Sequence, residues 1–191
     1  LEQRKPISEV LADKETSPKL RKLLDKSQNI RDFASKSLYL PENESYRYYA
    51  DLKRPYAVWN LIAAKEFSVE PKKWCFLFVG CLSYKGYFSQ KEASKHATQL
   101  EKQGYDVHVA GARAYSTLGW FDDPLLNTMM YRSEARRAGI IFHELAHQVV
   151  YIENDTAFNE AFATVVEHEG IRRWLKANNK EKEFESYLFD K

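Results

Sequence analysis

The chain has few of the features that mark membrane-spanning or nucleic-acid-binding proteins. Its formal net charge is only +2 over 191 residues. The charges of both signs are interspersed, without a basic stripe, so nucleic acid is not an expected partner. No apolar run approaches the ~18 residues that a membrane-spanning helix needs. Neither a nucleic-acid-binding surface nor a membrane-spanning helix is therefore expected.

Motifs of several other classes are also missing. The sequence contains no Gly-rich phosphate loop, no G-x-S-x-G nucleophile elbow and no internal repeat. With two cysteines it cannot form a zinc ribbon, which needs four. The hydrophobic fraction of 44% is that of a folded globule. The length predicts a single domain over residues 1–191, with a peripheral helical extension at residues 1–40.

The most informative motif is His143-Glu-Leu-Ala-His147, an H-E-x-x-H pattern. Residues four apart share one face of an α-helix, so both imidazoles can donate a nitrogen to one tetrahedral zinc ion. Glu144 would lie beside the metal, where it can take a proton from a zinc-bound water. Apolar residues at helical spacing predict one helix over residues 132–152, with Ser133 as its N-cap. The alternative is a helix whose two histidines have only structural roles.

A catalytic zinc site needs a third protein ligand and one open coordination position. The metzincin pattern would require Gly and His where this chain has Val150 and Glu153, which excludes that class. Glu160 is the predicted third ligand, because it and His147 lie about equally far from the midpoint of a turn predicted at residues 152–155. In an antiparallel helical hairpin the two would face each other. The competing candidates are Glu153, Asp155, Glu167 and His168.

Periodicity and capping signals predict the surrounding elements. Helices are predicted at residues 7–13, at 18–38 with Ser17 as cap, and from Ser89, as cap, to Gly104. A further helix is predicted to about residue 175, with Asp155 or Asn154 as its cap, and residues 181–191 are predicted as a charged helix or tail. Strands are predicted at residues 46–49, 56–64, 73–79, 84–88 and 105–113. The last strand is our candidate edge strand for pairing with an extended peptide substrate.

Several stretches resemble known zinc peptidases. The run Asn159-Glu-Ala-Phe-Ala163 is similar to the N-E-x-x-A/S signature of gluzincins, the thermolysin-like peptidases with two His ligands and one Glu. More of the chain is similar to the bacterial family named putative zinc-dependent aminopeptidase. That resemblance is carried by RPYAVWN at 54–60, WC at 74–75, GYF at 86–88, YSTLGWFDDPLLNT at 115–128, the H-E-x-x-H motif, and DTAFNEAFA at 155–163.

The resemblance implies an α+β fold of the zincin-like, gluzincin type. Such a fold has a small twisted mixed sheet with a backing helix, the H-E-x-x-H helix and an antiparallel Glu-bearing helix. It also implies one Zn²⁺ ion, peptide or protein substrates, and hydrolysis with Glu144 as the general base. Aminopeptidase action follows from the resemblance alone, because the G-x-M-E-N-type motif that captures a substrate amine in one large gluzincin family is missing.

Supporting residues around the zinc are less well defined by the sequence. Thermolysin-type sites have an Asp four residues after the ligand Glu that orients a histidine, and here Thr164 occupies that position. A hydroxyl accepts a hydrogen bond from an imidazole more weakly than a carboxylate does. A further residue should stabilise the oxyanion that forms during hydrolysis. The candidates are Tyr115, Tyr87 and His168.

The stretch at residues 116–130 combines aromatic residues, acids and proline without a repeat. Asp123 could cap a short helical turn that opens at Pro124, because proline fits the first helical position. Two interpretations stay open for this loop. Either Trp120 and Phe121 seal the core, or the loop forms one wall of a substrate cleft.

Members of the resembling family typically begin with a lipoprotein signal, which implies export. The chain does not begin with methionine, and we expect a trimmed or processed form with a lipid anchor as its membrane tether. The implied location is the bacterial periplasm, or the membrane as a lipoprotein facing the periplasm. In that oxidising compartment Cys75 and Cys81 would form a disulfide. The alternative is two buried thiols in β-strands.

A hypothesis from a different class is a non-catalytic, zinc-stabilised module for binding or assembly in the cell envelope. In that case a protein side chain would occupy the fourth zinc position, with Asp122, Asp123 and His168 as candidates. An enzyme instead needs that position open to a cleft. The two hypotheses therefore differ in one observable feature of the zinc site.

Overall fold

The structure is a computed structural model that describes residues 4–76, 80–114, 117 and 120–189. Its backbone contacts divide the chain into two units. Unit 1 comprises Leu1–Lys53, Ser116–Tyr151 and Asn159–Lys191, and unit 2 comprises Arg54–Tyr115 and Ile152–Phe158. Helices and small sheets are mixed along the chain. The zincin-like fold type and the single domain stay predictions.

Seven helices and eight strands lie within the described residues. The helices are α1 (Ile7–Ala12), α2 (Pro18–Leu38), α3 (Gln90–Glu101), α4 (Asn127–Met130), α5 (Glu134–Ala146), α6 (Thr156–Ala177) and α7 (Glu183–Phe189). The strands are β1 (Lys5–Pro6), β2 (Tyr48–Ala50), β3 (Val58–Lys65), β4 (Trp74–Phe76), β5 (Gly80–Leu82), β6 (Lys85–Tyr87), β7 (Tyr105–Ala112) and β8 (Leu125–Leu126). No described helix has the length and hydropathy that crossing a membrane would need.

The described strands form three small sheets. In unit 1, β2 pairs antiparallel with β1 and parallel with β8. In unit 2, β3 lies between β6 and β7, antiparallel to both, so β7 is an edge strand of its sheet within the described residues. The third sheet is the hairpin of β4 and β5, also in unit 2, and a disulfide joins its facing residues Cys75 and Cys81.

The N-terminal helices contribute to the core of unit 1. Ser17 caps α2 by accepting a hydrogen bond from the Leu20 N–H, and Pro18 is the first helical residue, as predicted. However, Leu24 and Ile30 of α2 are fully buried, and the ring of Phe33 lies 6.2 Å from that of Phe142 in α5. Helix α2 of the predicted extension at residues 1–40 therefore packs on the helix that carries H-E-x-x-H.

The core of unit 2 contains the backing helix that the sequence predicts. Ser89 accepts a hydrogen bond from the Glu92 N–H and so caps α3. The helix buries Ala97 and Leu100 against Leu61 and Ala63 of β3. Small residues on the helix face allow it to lie close to the strand, and the alternating pattern of β3 turns one face toward the helix.

The stretch around Asp123 differs from its prediction. Residues 125–126 form strand β8 beside β2, and the helical turn begins only at Asn127. The Asp123 carboxylate accepts a hydrogen bond from the Thr117 N–H, so it closes a loop rather than capping a helix. Trp120 and Phe121 are 68% and 60% exposed, which contradicts the interpretation that they seal the core.

Helix α5 is shorter than predicted. It begins after Ser133, whose hydroxyl accepts from the Arg136 N–H, but it ends at Ala146 instead of continuing to residue 152. The Gln148 and Val149 amides bond to carbonyls three residues back, which tightens the turn that follows the helix. The residues that follow, from Val149 to Ile152, are β-branched or aromatic and have lower helix propensity.

Candidate metal centre

Two imidazoles and one carboxylate meet at the C-terminal end of α5. His143 lies in the last turn of the helix and His147 directly follows it, with their ring centroids 4.9 Å apart. Glu160 of α6 lies against both rings: Oε2 is 3.3 Å from His143 Nε2, and Oε1 is 3.7 Å from His147 Nε2. One ligand atom from each residue lies within 4.8 Å of the others, so the group could hold a metal ion.

The start of α6 determines where Glu160 lies along its helix. Asp155 caps the helix, since its Oδ1 accepts a hydrogen bond from the Phe158 N–H at 3.0 Å. Asn154 just before it adopts a left-handed conformation with φ of 65°, which turns the chain. The predicted cap role of Asp155 is thus confirmed. The candidate ligand Glu160 follows about one turn into the helix, where the backbone is fully hydrogen-bonded and rigid.

The two histidines differ in the partners of their second ring nitrogen. His143 Nδ1 donates to Oε2 of Glu167 at 3.0 Å, and the hydroxyl of Tyr187 donates to Oε1 of the same carboxylate. His147 Nδ1 is buried and has no hydrogen-bond partner among the described residues. Glu167 was considered in the sequence only as a competing ligand, and Thr164 as the residue that orients a histidine. In the structure it is Glu167 that contacts the imidazole.

The family comparison agrees with the motifs. A family model described as "Putative aminopeptidase" matches residues 1–190. The chain belongs to this family. The description of the aminopeptidase family names neither a metal nor a mechanism. No curated protein and no solved structure matches the chain.

In this aminopeptidase-family chain, Glu144 lies among several acidic side chains and is partly buried. Loss of hydration raises the pKa of its carboxyl, the charge of His143 lowers it, and the neighbouring Glu160 and Asp123 raise it again, giving a pKa of about 7. A carboxyl group with a pKa near neutrality can both accept and release a proton under physiological conditions. Glu144 therefore has the property that a general acid–base residue needs.

The electrostatics of the histidines follow from their neighbours. Burial lowers the pKa of His143, but hydrogen bonds to Glu160 and Glu167 raise it, with a net value of about 9. Burial and the charge of His143 lower the pKa of His147. The hydrogen bond from His143 lowers the pKa of Glu160. In the protein without metal, His143 is thus a cation held between two carboxylates.

The other predicted site residues lie outside this group. Among the described residues, the group of potential metal ligands contains none of Asp122, Asp123, Glu153, Glu167 or His168. The ring of His168 lies 6.0 Å from that of Tyr187. Tyr87, in unit 2, makes a hydrogen bond from its hydroxyl to His96 Nδ1. Tyr115 lies outside the described residues. The assignment of an oxyanion-stabilising residue stays a prediction.

Glu167 and Tyr187 are the residues that sequence reasoning missed at this site. Glu167 follows Glu160 by two helical turns, so both share one face of α6. That spacing was a usable signal for Glu167. Tyr187, by contrast, lies on the separate helix α7, and packing of that helix against distant parts of the chain, including α5, brings it to the carboxylate.

Proposed function

We propose that this protein is a zinc-dependent peptidase whose metal is held by His143, His147 and Glu160. The observation that supports this is the convergence of one nitrogen from each imidazole and one carboxylate oxygen within 4.8 Å of one another. Two or three imidazoles, completed where needed by a carboxylate, are typical protein ligands of catalytic zinc. Both cysteines are joined in a disulfide, so the site offers nitrogen and oxygen ligands only.

The proposed reaction is hydrolysis of a peptide bond. Zinc, when bound, supplies Lewis acidity toward the scissile carbonyl and toward water. Glu144 accepts the proton of the attacking water and then donates it to the leaving amine. The raised pKa of Glu144, about 7, supports both transfers. Membership of the aminopeptidase family favours removal of an N-terminal residue, which requires a substrate with a free amine.

The alternative of a non-catalytic zinc module is less well supported. It predicted that Asp122, Asp123 or His168 would complete the metal site as a fourth protein ligand. Within the described ranges, no fourth acidic, His or Cys ligand joins the group. Three protein ligands correspond to the number in catalytic zinc sites, whereas structural sites are closed by four.

The deciding experiment combines metal analysis with peptide digestion. Wild type should contain about one zinc per chain and cleave peptides, whereas Glu144→Gln should retain the zinc and lose turnover. Glu169→Gln is the matched control, because this partly exposed residue of α6 bonds only to Arg172 and Arg173 among the hydrogen bonds described. Undiminished cleavage by Glu144→Gln would refute the mechanism. Free and N-terminally blocked peptides, compared side by side, would distinguish an aminopeptidase from an endopeptidase.

We also propose an exported location, in the bacterial periplasm or as a lipoprotein facing it, following the family resemblance. The disulfide between Cys75 and Cys81 supports this, because disulfides persist mainly in oxidising compartments. Fractionation of expressing cells, followed by alkylation of free thiols and mass analysis, tests the proposal. A cytosolic protein with two free thiols would contradict it.

A further inference from the structure

We propose that Glu167 is a positioning residue for the metal ligand His143, and that Tyr187 on the terminal helix α7 holds Glu167 in place. This inference rests on the proposed function, because it concerns the same metal site. It adds that α7, the last helix of the chain, contributes to the affinity of the site for zinc.

The Glu167 carboxylate contacts both His143 and Tyr187. Its two oxygens have separate partners: Oε2 accepts from His143 Nδ1 at 3.0 Å, and Oε1 accepts from the Tyr187 hydroxyl. A carboxylate that accepts from Nδ1 fixes the proton on that nitrogen, and the ring then presents its Nε2 lone pair on the opposite side. That side is the one facing Glu160, where the metal would lie.

Burial and packing make this arrangement specific. The Glu167 side chain is 12% exposed and Tyr187 is 4% exposed, so water competes little for either hydrogen bond. Gly139, one helical turn before His143, leaves room for the carboxylate. A Cβ at position 139 would lie 3.1 Å from Oε1 of Glu167 and 2.9 Å from Cδ1 of Ile171.

Tyr187 is itself held by its surroundings. The guanidinium of Arg136 lies 5.5 Å from the centre of its ring, and the ring of Phe184 stacks at 6.3 Å. Burial and the hydrogen bond to Glu167 raise the pKa of the Tyr187 hydroxyl, which therefore remains a donor at physiological pH. The result is a chain of contacts from α7 through Glu167 to a nitrogen of His143.

The contrast with His147 strengthens the inference. Its Nδ1 atom is buried without a hydrogen-bond partner in the part of the chain that the structure describes. Hydrogen-bond support for ring orientation is thus seen at one of the two imidazoles. Loss of the Glu167 carboxylate should therefore change the orientation of the His143 ring and leave that of the His147 ring unchanged.

The test measures zinc affinity by competition with a chromophoric chelator, together with the absorption spectrum of the cobalt-substituted protein. Glu167→Ala should weaken zinc binding by roughly 10- to 100-fold, the usual effect of removing such a partner. Glu167→Gln should lose less, because the amide oxygen can still accept from Nδ1. Tyr187→Phe should also lose less, and combining it with Glu167→Ala should add no further loss. Glu169→Gln should match wild type in both measurements.

The outcomes separate this inference from the proposed function. Wild type that binds zinc, with Glu167→Ala of equal affinity and identical cobalt spectrum, would overturn the positioning role alone. Wild type that binds no zinc would overturn both proposals. A loss of affinity that Glu167→Gln does not partly restore, accompanied by an equal loss of thermal stability in the metal-free protein, would show a merely structural role and also overturn the inference.

Discussion

Glu160 and Glu167 lie two helical turns apart on α6 and contact opposite nitrogens of one imidazole. Glu160 approaches Nε2 of His143 at 3.3 Å, and Glu167 approaches Nδ1 at 3.0 Å. The two carboxylates outweigh the effect of burial and raise the pKa of the ring from its ordinary 6.5 to about 9. Without metal this histidine is therefore protonated at neutral pH, and a metal ion must displace a proton to bind.

The first prediction concerns the pH dependence of zinc binding. Between pH 6.5 and pH 9 the apparent affinity should increase with pH, because fewer proteins carry the proton on His143. Displacement of one proton corresponds to about tenfold per pH unit, and the increase should level off above the pKa. Chelator competition at several pH values measures this. Glu167→Gln should level off at a lower pH, and an affinity independent of pH over this range would contradict the prediction.

The second prediction concerns the stability of the metal-free protein. The raised pKa of His143 means that its contribution to the free energy of unfolding is fully present below pH 6.5 and is lost as pH rises through 9. The raised pKa of Glu144 acts in the same direction between pH 4.5 and about 7. In urea unfolding with EDTA, the free energy of unfolding should therefore fall as the pH rises from 4.5 to 9. The part of this decrease that comes from His143 is on the order of 3 kcal/mol.

A variant supplies the control for that measurement. His143→Gln removes the titrating ring, so its stability should change less between pH 6.5 and pH 9 than that of wild type. Equal pH dependence in the two proteins would show that His143 is not the group responsible. Saturation of wild type with zinc should also reduce the dependence, since the ring is then a ligand and not an imidazolium.

The third prediction tests whether α2 belongs to the core that carries the site. Leu24 is fully buried, so Leu24→Ala should lower the free energy of unfolding by roughly 2–5 kcal/mol through lost burial and a residual cavity. Leu188→Ala is the matched control, because Leu188 is 44% exposed and should lose much less. Urea unfolding compares them. Equal losses of stability in the two variants would show that α2 does not belong to this core.

The fourth prediction concerns the cap of α6. Asp155→Ala should lower stability by about 1 kcal/mol, because the Phe158 N–H loses its acceptor at the helix start. Asp155→Asn should keep most of the stability, since asparagine is an equally good N-cap. Zinc affinity should fall slightly in the alanine variant, because the fraying turn lies next to Glu160. An alanine variant as stable as wild type would contradict the cap role.

The sequence predicted best what depends on local signals. The N-caps Ser17, Ser89 and Asp155 are all observed, because a side chain and an amide three residues on interact whatever the rest of the fold does. The proximity of His147 and Glu160 also followed from local spacing around one turn. This proximity is observed although α5 is shorter than predicted.

The features that the sequence did not predict depend on contacts between distant segments. Strand β8 exists because Leu125 and Leu126 pair with Tyr49 and Ala50, more than 70 positions earlier in the chain. Tyr187 was predicted to lie in a charged helix or tail, and in the structure its ring is buried and its hydroxyl reaches Glu167. Periodicity gives the buried face of an element, but it does not say which partner covers that face.

The side chain of Glu167 on α6 occupies the space beside Gly139 of α5, so the size of the residue at 139 limits which residue fits at 167. A side chain at 139 would come too close to the Glu167 side chain, because its Cβ would lie 3.3 Å from Cγ of Glu167. A shorter acid at 167 would no longer reach Nδ1 of His143. We therefore expect residue 139 to stay small in natural or engineered relatives that keep a glutamate at 167, and the two sites to covary wherever either changes.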